Sequence, residues 1–542
     1  MQTTSIIGNR DVAGPGEIVS RSPATGEVLG TVSAIDSEGL QSAVAAARAA
    51  FPAWSATPLV ERQRLLARWL RIIVDEEDEL ARLVAREGGK PISEARLVDL
   101  FPACEALSFL ARRLHRVLAP ESVRPFQILF AHWQAGYRYD PLGVIGIITP
   151  WNYPVGIPVV ELAAAVAAGN TVVFKPASAT VLIGLALGDM ARRAGFPPGV
   201  INTLALPGRA TDALVDHQDV TKIMFTGSVG IGCRVAQRAA ARLAPVQLEL
   251  GGKDAAVVAA DADLERTARG LVWGAFMNTG QTCASVERVY VEAGVFEPLL
   301  ARIVELTREL KVGDPLAPET DIGPMTTAEQ REVVRRHVEE ALRGGARALV
   351  GGQQPAGPGN FYPPTVLVDV REEMDVMREE TFGPVLPVVP VATLEKGIAR
   401  ANASRFGLTA SGWTRSRALA ARFQRELEAG VVTINDHAVA FAEATGAWGG
   451  LRESGIGRSH GRFGLLELCN IKYLATDLGS DRAMPWYYPY DADFGRFIRA
   501  ALPALYARGG QKLRALLSMA GTRRFRDRVR KGTLIANAHR LV

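Results

Sequence analysis

The sequence predicts an α/β protein with two parallel-sheet domains, and three observations carry that prediction. Short runs rich in Val and Ile alternate with alanine- and leucine-rich helical patterns, first over residues 143–225 and again over 255–434; such alternation marks parallel strands joined by crossover helices. A glycine turn follows the strand-like Lys222–Phe225, as Phe225-Thr226-Gly227-Ser228-Val229-Gly230, at the strand end where α/β proteins place their sites. The chain has 542 residues, 48% hydrophobic and 22% charged, enough for two or three domains with ample cores.

Residues 1–35 form a polar lead punctuated by Gly and Pro, with short strands. From Ser37 to about Leu118 the pattern turns helical: Leu65, Leu66, Trp69, Leu70 and Ile73 recur at three and four, giving helices that pack on a sheet. Residues 121–141 alternate Phe126, Ile128 and Phe130 and continue to Trp133, Tyr137 and Tyr139, which predicts a projecting hairpin. The first sheet takes Gly143–Thr149, Val172–Phe174 and Lys222–Phe225 as strands, with helices over Leu162–Ala168 and Leu182–Ala194. The second takes Ala255–Ala259, Arg288–Glu292, Ala348–Val350, Val385–Val391 and Val431–Ile434, with helices over Phe296–Leu310 and Thr327–Arg343.

The four cysteines, Cys104, Cys233, Cys283 and Cys469, are scattered, with no CxxC pair and no nearby His cluster. That spacing indicates neither a zinc site nor a disulfide framework and fits a reducing compartment. No basic-then-apolar leader opens the sequence and charges or glycines break the apolar runs, so a cytoplasmic protein is expected. The net charge of +5 hides an asymmetry: residues 494–542 hold twelve Lys and Arg against one acid, Asp527, so the rest of the chain is net negative. A whole-protein case for nucleic-acid binding fails on that distribution.

The chemistry concentrates in Ala275–Ala284, Ala-Phe-Met-Asn-Thr-Gly-Gln-Thr-Cys-Ala, where small neighbours leave the Cys283 sulfur open to a reactant. Upstream, Leu248-Glu249-Leu250-Gly251-Gly252-Lys253 sets one carboxylate in an apolar run. An accessible thiol and a partly desolvated carboxylate suit a covalent nucleophile and a general base, although a lone cysteine more often just packs. Thr149-Pro150-Trp151-Asn152-Tyr153-Pro154 is a loop pinned by two prolines in which Asn152 offers amide N–H groups. Phe174-Lys175-Pro176-Ala177-Ser178 ends the next strand on a cation. The turn at Gly227 and Ser228 would present a helix N-terminus to a phosphate; it lacks the GxGxxG spacing, and a plain tight turn serves as well. Glu380 stands two residues before Phe382 in Glu379-Glu380-Thr381-Phe382-Gly383-Pro384, a segment that also reads as a charged helix end turning into a strand.

In this order and spacing the motifs resemble those of the aldehyde dehydrogenase superfamily over roughly residues 20–478. They are Pro-Trp-Asn, Lys-Pro, Phe-Thr-Gly-Ser, Glu-Leu-Gly-Gly-Lys, Gly-Gln-Thr-Cys, Glu-Thr-Phe-Gly-Pro, and Gly449-Gly450 followed by Glu453-Ser454-Gly455-Ile456-Gly457-Arg458. The resemblance implies an aldehyde dehydrogenase-like α/β fold: a Rossmann-type cofactor domain (1–120 and 142–252), an α/β catalytic domain (253–465) and a small β oligomerisation arm (121–141 and 466–478). Within the arm, 121–141 would pair with the strand near Lys472–Thr476 across the interface of a homodimer or homotetramer. Residue by residue, Cys283 resembles the nucleophile, Glu249 the general base, and Asn152 with the Cys283 N–H the oxyanion hole. Lys175 resembles the adenosine-ribose contact of NAD or NADP, Gly227 and Ser228 those near the pyrophosphate, Glu380 the nicotinamide-ribose partner and Phe382 the ring contact. Thr149, Trp151, Ser178 and Leu250 complete the implied cofactor site, and no metal is called for. The physics agrees: thiolate attack on an aldehyde makes an alkoxide, and losing one preorganised donor to such a charge costs ~3 kcal/mol.

Departures from the family pattern sharpen the expectations. Most NAD-preferring members carry Glu three residues after the lysine; Ser178 stands there, so a 2′-phosphate is not repelled and NADP is expected to be accepted. Ser459 occupies the place where some members keep a second carboxylate, which leaves water activation to Glu249 alone. Tyr153, Gly156, Ile157 and Val160 are expected along one substrate wall, without an Arg for a second carboxylate. A medium- or long-chain aliphatic or an aromatic aldehyde therefore fits better than a semialdehyde. The loop His437–Trp448 is expected at the tunnel mouth, with His437 a solvated or hydrogen-bonded loop residue rather than a substrate contact. Competing readings are a CoA-acylating or semialdehyde-oxidising relative and a catalytically silent structural member; Glu249 opposes CoA acylation, and the intact Cys283, Asn152, Glu249 and Glu380 oppose silence.

Beyond about Asp477 the resemblance stops. Met484–Tyr490 reads as an aromatic linker, after which Phe494, Phe497, Ile498, Ala501, Leu502 and Leu505 recur at helical spacing. Leu513, Leu516, Leu517 and Ala520 resume the stripe after Gly509-Gly510, and Arg523–Lys531 adds six positive charges. This basic amphipathic extension, 479–542, has two readings: docking on a neighbouring subunit, or peripheral attachment to an anionic membrane surface.

Overall fold

The computed structural model describes residues 2–127, 130, 132–478 and 486–530. They fall into two compact units, one running to residue 117 and including 141–470, the other comprising 118–140 and the chain from 471.

The larger unit contains two main sheets. In the first, eight strands run in the order Gly455–Ile456, Val246–Glu249, Val220–Thr226, Val144–Ile148, Thr171–Lys175, Ile201–Thr203, Ser5–Ile7 and Arg10–Val12. The five strands from Val246–Glu249 to Ile201–Thr203 are parallel. Ile145, Val172 and Val173 within them are fully buried, as a sheet covered on both faces requires. The second sheet has seven strands, in the order Arg347–Val350, Thr365–Val368, Val385–Val391, Arg288–Glu292, Ala255–Val258, Thr409–Trp413 and Val431–Ile434. All are parallel except the edge strand Arg347–Val350.

This arrangement decides where chemistry can occur. Thr149–Asn152, Lys175 and Glu249 lie at carboxyl ends of first-sheet strands, whereas Lys253, Cys283, Phe382 and Leu408 precede the amino ends of second-sheet strands. Loops from opposite strand ends therefore line one space.

The expected strands are present with ends shifted by a residue or two, and Val385–Val391 and Val431–Ile434 match the reading. Thr409–Trp413 was not anticipated because its sequence, Thr-Ala-Ser-Gly-Trp, looks like a loop; it is buried throughout. A Cβ on Gly412 would meet the Phe423 ring at 2.3 Å, so close packing, not β-propensity, selects that residue. The helix expected from Leu162 begins at Gly156, because the buried Asp99 carboxylate accepts the N–H groups of Val155 and Gly156 at 3.0 and 2.6 Å and so caps it. Asp99 itself lies in a π-helical turn, Ala95–Leu100, inside the helical run from Ile92 to Val117.

The smaller unit contains a three-stranded sheet in the order Cys469–Asp477, Trp133–Pro141, Glu121–Val123. The pairing expected across a subunit interface is thus made within one chain. Phe126 is not in a strand and is 95% exposed, since Pro125 cannot donate to a ladder; Ile128 lies outside the described residues. Helices Ala492–Tyr506, Gly509–Ala520 and Arg523–Arg530 follow. The apolar stripe read from the sequence divides: Phe497, Ala500, Ala501, Ala504 and Ala515 are buried, while Ile498, Leu502, Leu513, Leu516 and Leu517 are exposed. Asp493 accepts the backbone N–H groups of Arg523 and Arg524 at 3.2 and 3.1 Å, tying the third helix to the start of the first.

Candidate active site

After the helix Leu264–Phe276 the backbone turns through Asn278, Thr279 and Gly280 at φ 53°, 56° and 69°. A β-branched residue such as Thr279 resists that region, and the surroundings hold it there. Glu94 Oε2 accepts from Asn278 N at 2.8 Å, and Thr279 Oγ1 donates to Gly323 O at 3.1 Å. A Cβ on Gly280 would strike the Gly383 carbonyl at 2.2 Å, so this position needs glycine. The turn delivers Cys283 half-buried between two cavities. Burial, followed by the carboxylates of Asp254, Glu380 and Glu249, pushes its thiol far above the ordinary range, so a base must take its proton before it can attack.

Asn152 is buried beside this turn. Its Nδ2 donates to Gln281 O at 3.0 Å, while Asn278 Nδ2 donates to Asn152 O at 2.8 Å and to Gln281 O at 3.1 Å. One N–H of the Asn152 amide is thereby fixed and the second remains for another acceptor. Next to it, the Tyr153 and Thr282 hydroxyls share a 2.6 Å hydrogen bond. Lys90 sits 3.8 Å over the Tyr153 ring and is paired with Asp99 at 2.8 Å.

Glu249 is buried, and neither of its carboxylate oxygens has a hydrogen-bond partner. Burial first and then the neighbouring Glu161 hold it well above the usual carboxylate range, with Arg458 pulling the other way. Glu380 accepts from Gly252 N at 3.1 Å, and burial lifts it to about 8. Phe382, at φ 49°, is placed by Glu287, whose carboxylate accepts the N–H groups of Thr381 and Phe382 at 2.9 Å each and pairs with the buried Lys253. The Phe382 ring stands edge-on to Trp151, with centroids 5.6 Å apart.

One cavity, about 660 Å³, runs from Ser178 and Lys175 past Gly227, Ser228, Thr149 and Trp151 to Leu250, Glu380, Phe382, Glu249, Asn152 and Cys283. It contains every catalytic and cofactor residue expected from the sequence. The donor set fits a dinucleotide: Ser228 stands at the start of the helix Val229–Ala240 without capping it through its side chain, leaving the first N–H groups for a phosphate. Lys175 is buried, drawn down to about 8 by burial, and no carboxylate is bonded to it among the described residues. The second cavity, about 280 Å³, leaves Cys283 in the other direction between Val98, Phe101, Met277, Trp273, Ala438 and Phe441, with no charged residue among those lining it.

The profile of the aldehyde dehydrogenase family matches residues 11–474. A 4,4'-diapolycopene aldehyde oxidase of a Methylomonas species is 34% identical over 94% of this chain and 95% of its own length. The NADP-dependent succinate-semialdehyde dehydrogenase of Escherichia coli strain K12 is 35% identical over 84% of this chain and 93% of its own. The crystal structure of an NAD-dependent aldehyde dehydrogenase from Sinorhizobium meliloti superposes with a TM-score of 0.86 at 34% identity, covering 90% of this chain and 97% of that one. This chain belongs to the aldehyde dehydrogenase family. It is an NAD(P)-dependent oxidoreductase acting on an aldehyde.

Within this aldehyde dehydrogenase the residues expected along one substrate wall are divided: Tyr153 lines the second cavity, Val160 the first and Ile157 both, while Gly156 lines neither; a Cβ there would point at Asp99, 3.2 Å from its carbonyl. His437 is buried and hydrogen-bonded to Ser411 Oγ at 2.8 Å, and it lines neither cavity. From the same loop, Ala438, Val439, Phe441, Ala442 and Trp448 form cavity wall. Sequence reasoning missed Asn278, Glu94 and Asp99, whose partners lie far along the chain, and Lys90, which pairs with Asp99 and sits over the Tyr153 ring. It also missed Glu161, a further carboxylate in the cavity where water activation was expected to fall on Glu249 alone. Its signal was present: Glu161 is the only charged residue in the helix Gly156–Ala167, and a charge in an apolar helix calls for an explanation.

Proposed function

We propose that this aldehyde dehydrogenase oxidises an apolar aldehyde, medium- or long-chain aliphatic or aromatic, to its carboxylic acid through a thioester on Cys283. The observation that carries the reading is the position of Cys283 on both cavities, polar on one side and uncharged on the other. The aldehyde enters from the uncharged side, where a semialdehyde's carboxylate would find no cation. A relative matching nearly the whole chain is named for a 4,4'-diapolycopene aldehyde, which agrees with this choice over the semialdehyde of the shorter match.

Glu249 takes the thiol proton, and Sγ attacks the aldehyde carbon. The free Asn152 N–H and the Cys283 backbone N–H steady the alkoxide. A bound NAD or NADP supplies the acceptor for the hydride. Lys175, Gly227, Ser228, Glu380 and Phe382, with Thr149, Trp151, Ser178 and Leu250, hold that cofactor in the 660 Å³ cavity. Ser178 in place of a carboxylate lets the enzyme accept NADP as well as NAD. Glu249 then activates water, so the acyl group leaves as the acid and not on CoA.

The enzyme works as a homodimer or homotetramer in the cytoplasm, and its basic tail, with Ile498, Leu502, Leu513, Leu516 and Leu517 exposed, docks on a neighbouring subunit or attaches peripherally to an anionic membrane surface. No helix among the described residues is long and apolar enough to cross a membrane. Salt-sensitive binding to anionic vesicles, lost on truncation after Asp491, supports that attachment; binding that survives truncation overturns it. The decisive assay follows reduced nicotinamide by absorbance over an aldehyde chain-length series, with both cofactors and with and without CoA. Activity that peaks on long apolar aldehydes and ignores CoA is expected; a peak at succinate semialdehyde overturns the substrate class.

A further inference from the structure

We infer that Glu161 is the outlet for the protons that Glu249 takes up, so that the two carboxylates act as a pair while the acid is released. The inference rests on Cys283 being the acylated nucleophile and Glu249 the base. Each turnover then asks Glu249 for proton uptake twice, once from the Cys283 thiol and once from the water that attacks the thioester. In that second step the water oxygen bonds to the acyl carbon, the carbon–sulfur bond breaks with its electron pair returning to Sγ, and the water proton passes to Glu249. A buried base must lose the first proton before it can accept the second.

The geometry supplies the route. Thr226 is the parallel-register neighbour of Glu249, which sets the two side chains next to each other on one sheet face. Thr226 Oγ1 donates to Glu161 Oε1 at 2.7 Å, and Glu161 Oε2 is buried without a partner. Glu161 and Glu249 are the only carboxylates among the described residues with buried, unpartnered oxygens. By contrast Glu87, buried for structural reasons, accepts from Ser20 Oγ and from the N–H groups of Leu182 and Ile183. Thr226 is only partly buried and lines the open cavity, so a proton on Glu161 reaches solvent by way of its hydroxyl: the bond reverses, Glu161 Oε1–H donates to Thr226 Oγ1, and the hydroxyl passes its own hydrogen to water in the cavity. The other ionisable groups facing the pair are Arg458, Cys283 and His460, the last kept neutral by burial that draws it down to about 4.

Glu161→Gln keeps the side-chain shape and an acceptor for Thr226. p-Nitrophenyl butyrate acylates a reactive thiol with no cofactor, so the nitrophenolate burst counts acylation and the steady rate after it reads deacylation. The expected result for E161Q is a full burst and a steady rate about tenfold lower, a modest loss for a proton-transfer group. Its acid limb should move to lower pH, because Glu249 then ionises without a negative neighbour. A native steady rate with a native acid limb in E161Q overturns the proposal, and so does a lost burst in a folded variant, which would place Glu161 in acylation. Should E161Q fail to fold, Thr226→Val keeps both carboxylates and removes the hydroxyl: slowed deacylation supports the route, and native deacylation overturns it. If Cys283→Ala releases nitrophenolate at the native rate, the reading of Cys283 itself fails, a result distinct from either variant's.

Discussion

The two cavities that meet at Cys283 differ in kind. On one side Lys175, Glu161, Glu249 and Glu380 line about 660 Å³ together with the start of a helix; on the other about 280 Å³ is walled by Val98, Phe101, Trp273, Met277 and Phe441. Charged side chains therefore line only one of the two cavities. In the proposed function, proton handling and cofactor binding share the first, wet side, and the second, dry side is left to select the aldehyde by shape and by excluding charge, which is expensive to bury unpaired.

That partition can be broken at its centre. Cys283→Ala should abolish both dehydrogenation and ester turnover, a loss on the order of 10⁴-fold or more for a missing nucleophile. Reduced nicotinamide forming at the native pace in C283A would end the assignment of either cavity. Next in size is the wet side: Glu249→Gln should lower steady turnover by about 10²–10³-fold, with the acyl adduct on Cys283 visible by mass spectrometry of the stalled enzyme. Rapid turnover in E249Q would mean that another base serves the site.

The dry side gives a smaller and more selective effect. Phe101 lies at its rim, 51% exposed, so Phe101→Arg should fold and add one cation. The ratio of kcat/KM for succinate semialdehyde to that for an apolar aldehyde should rise about tenfold; an unchanged ratio would show that this cavity does not bind the aldehyde. Smallest is Ser178→Glu, which puts a negative charge where a 2′-phosphate would sit. It should lower kcat/KM with NADP about tenfold relative to NAD, and equal losses with both cofactors would place Ser178 away from the ribose.

The wet side was far more legible in the sequence than the dry side. Its residues come in contiguous motifs at strand ends, where a local pattern of strand, turn and helix start fixes both conformation and chemistry. Lys175 and Gly227 follow this rule, and so does Cys283 with its Gly280. The dry side is assembled from the π-helical turn at Ala95–Leu100, the helix Leu264–Phe276 and the loop after Ile434, ordinary apolar segments in which nothing marks a wall residue. Positioning groups were hidden for the same reason. Asp99 caps a helix 56 residues away, and Asn278 is held by Glu94 across 184 residues.

By itself the sequence determined the alternation of strands and helices, the candidate thiol and carboxylate, and the identity of the groups at each strand end, because these depend on neighbours within a few residues. Tertiary structure alone decided that Ala501, Ala504 and Ala515 of the tail turn inward and Leu502, Leu513, Leu516 and Leu517 outward. It also decided that a carboxylate from a helix stands against the strand neighbour of Glu249. Sheet register and helix packing set the distances between segments far apart in the chain, and those distances determine which buried charges face each other.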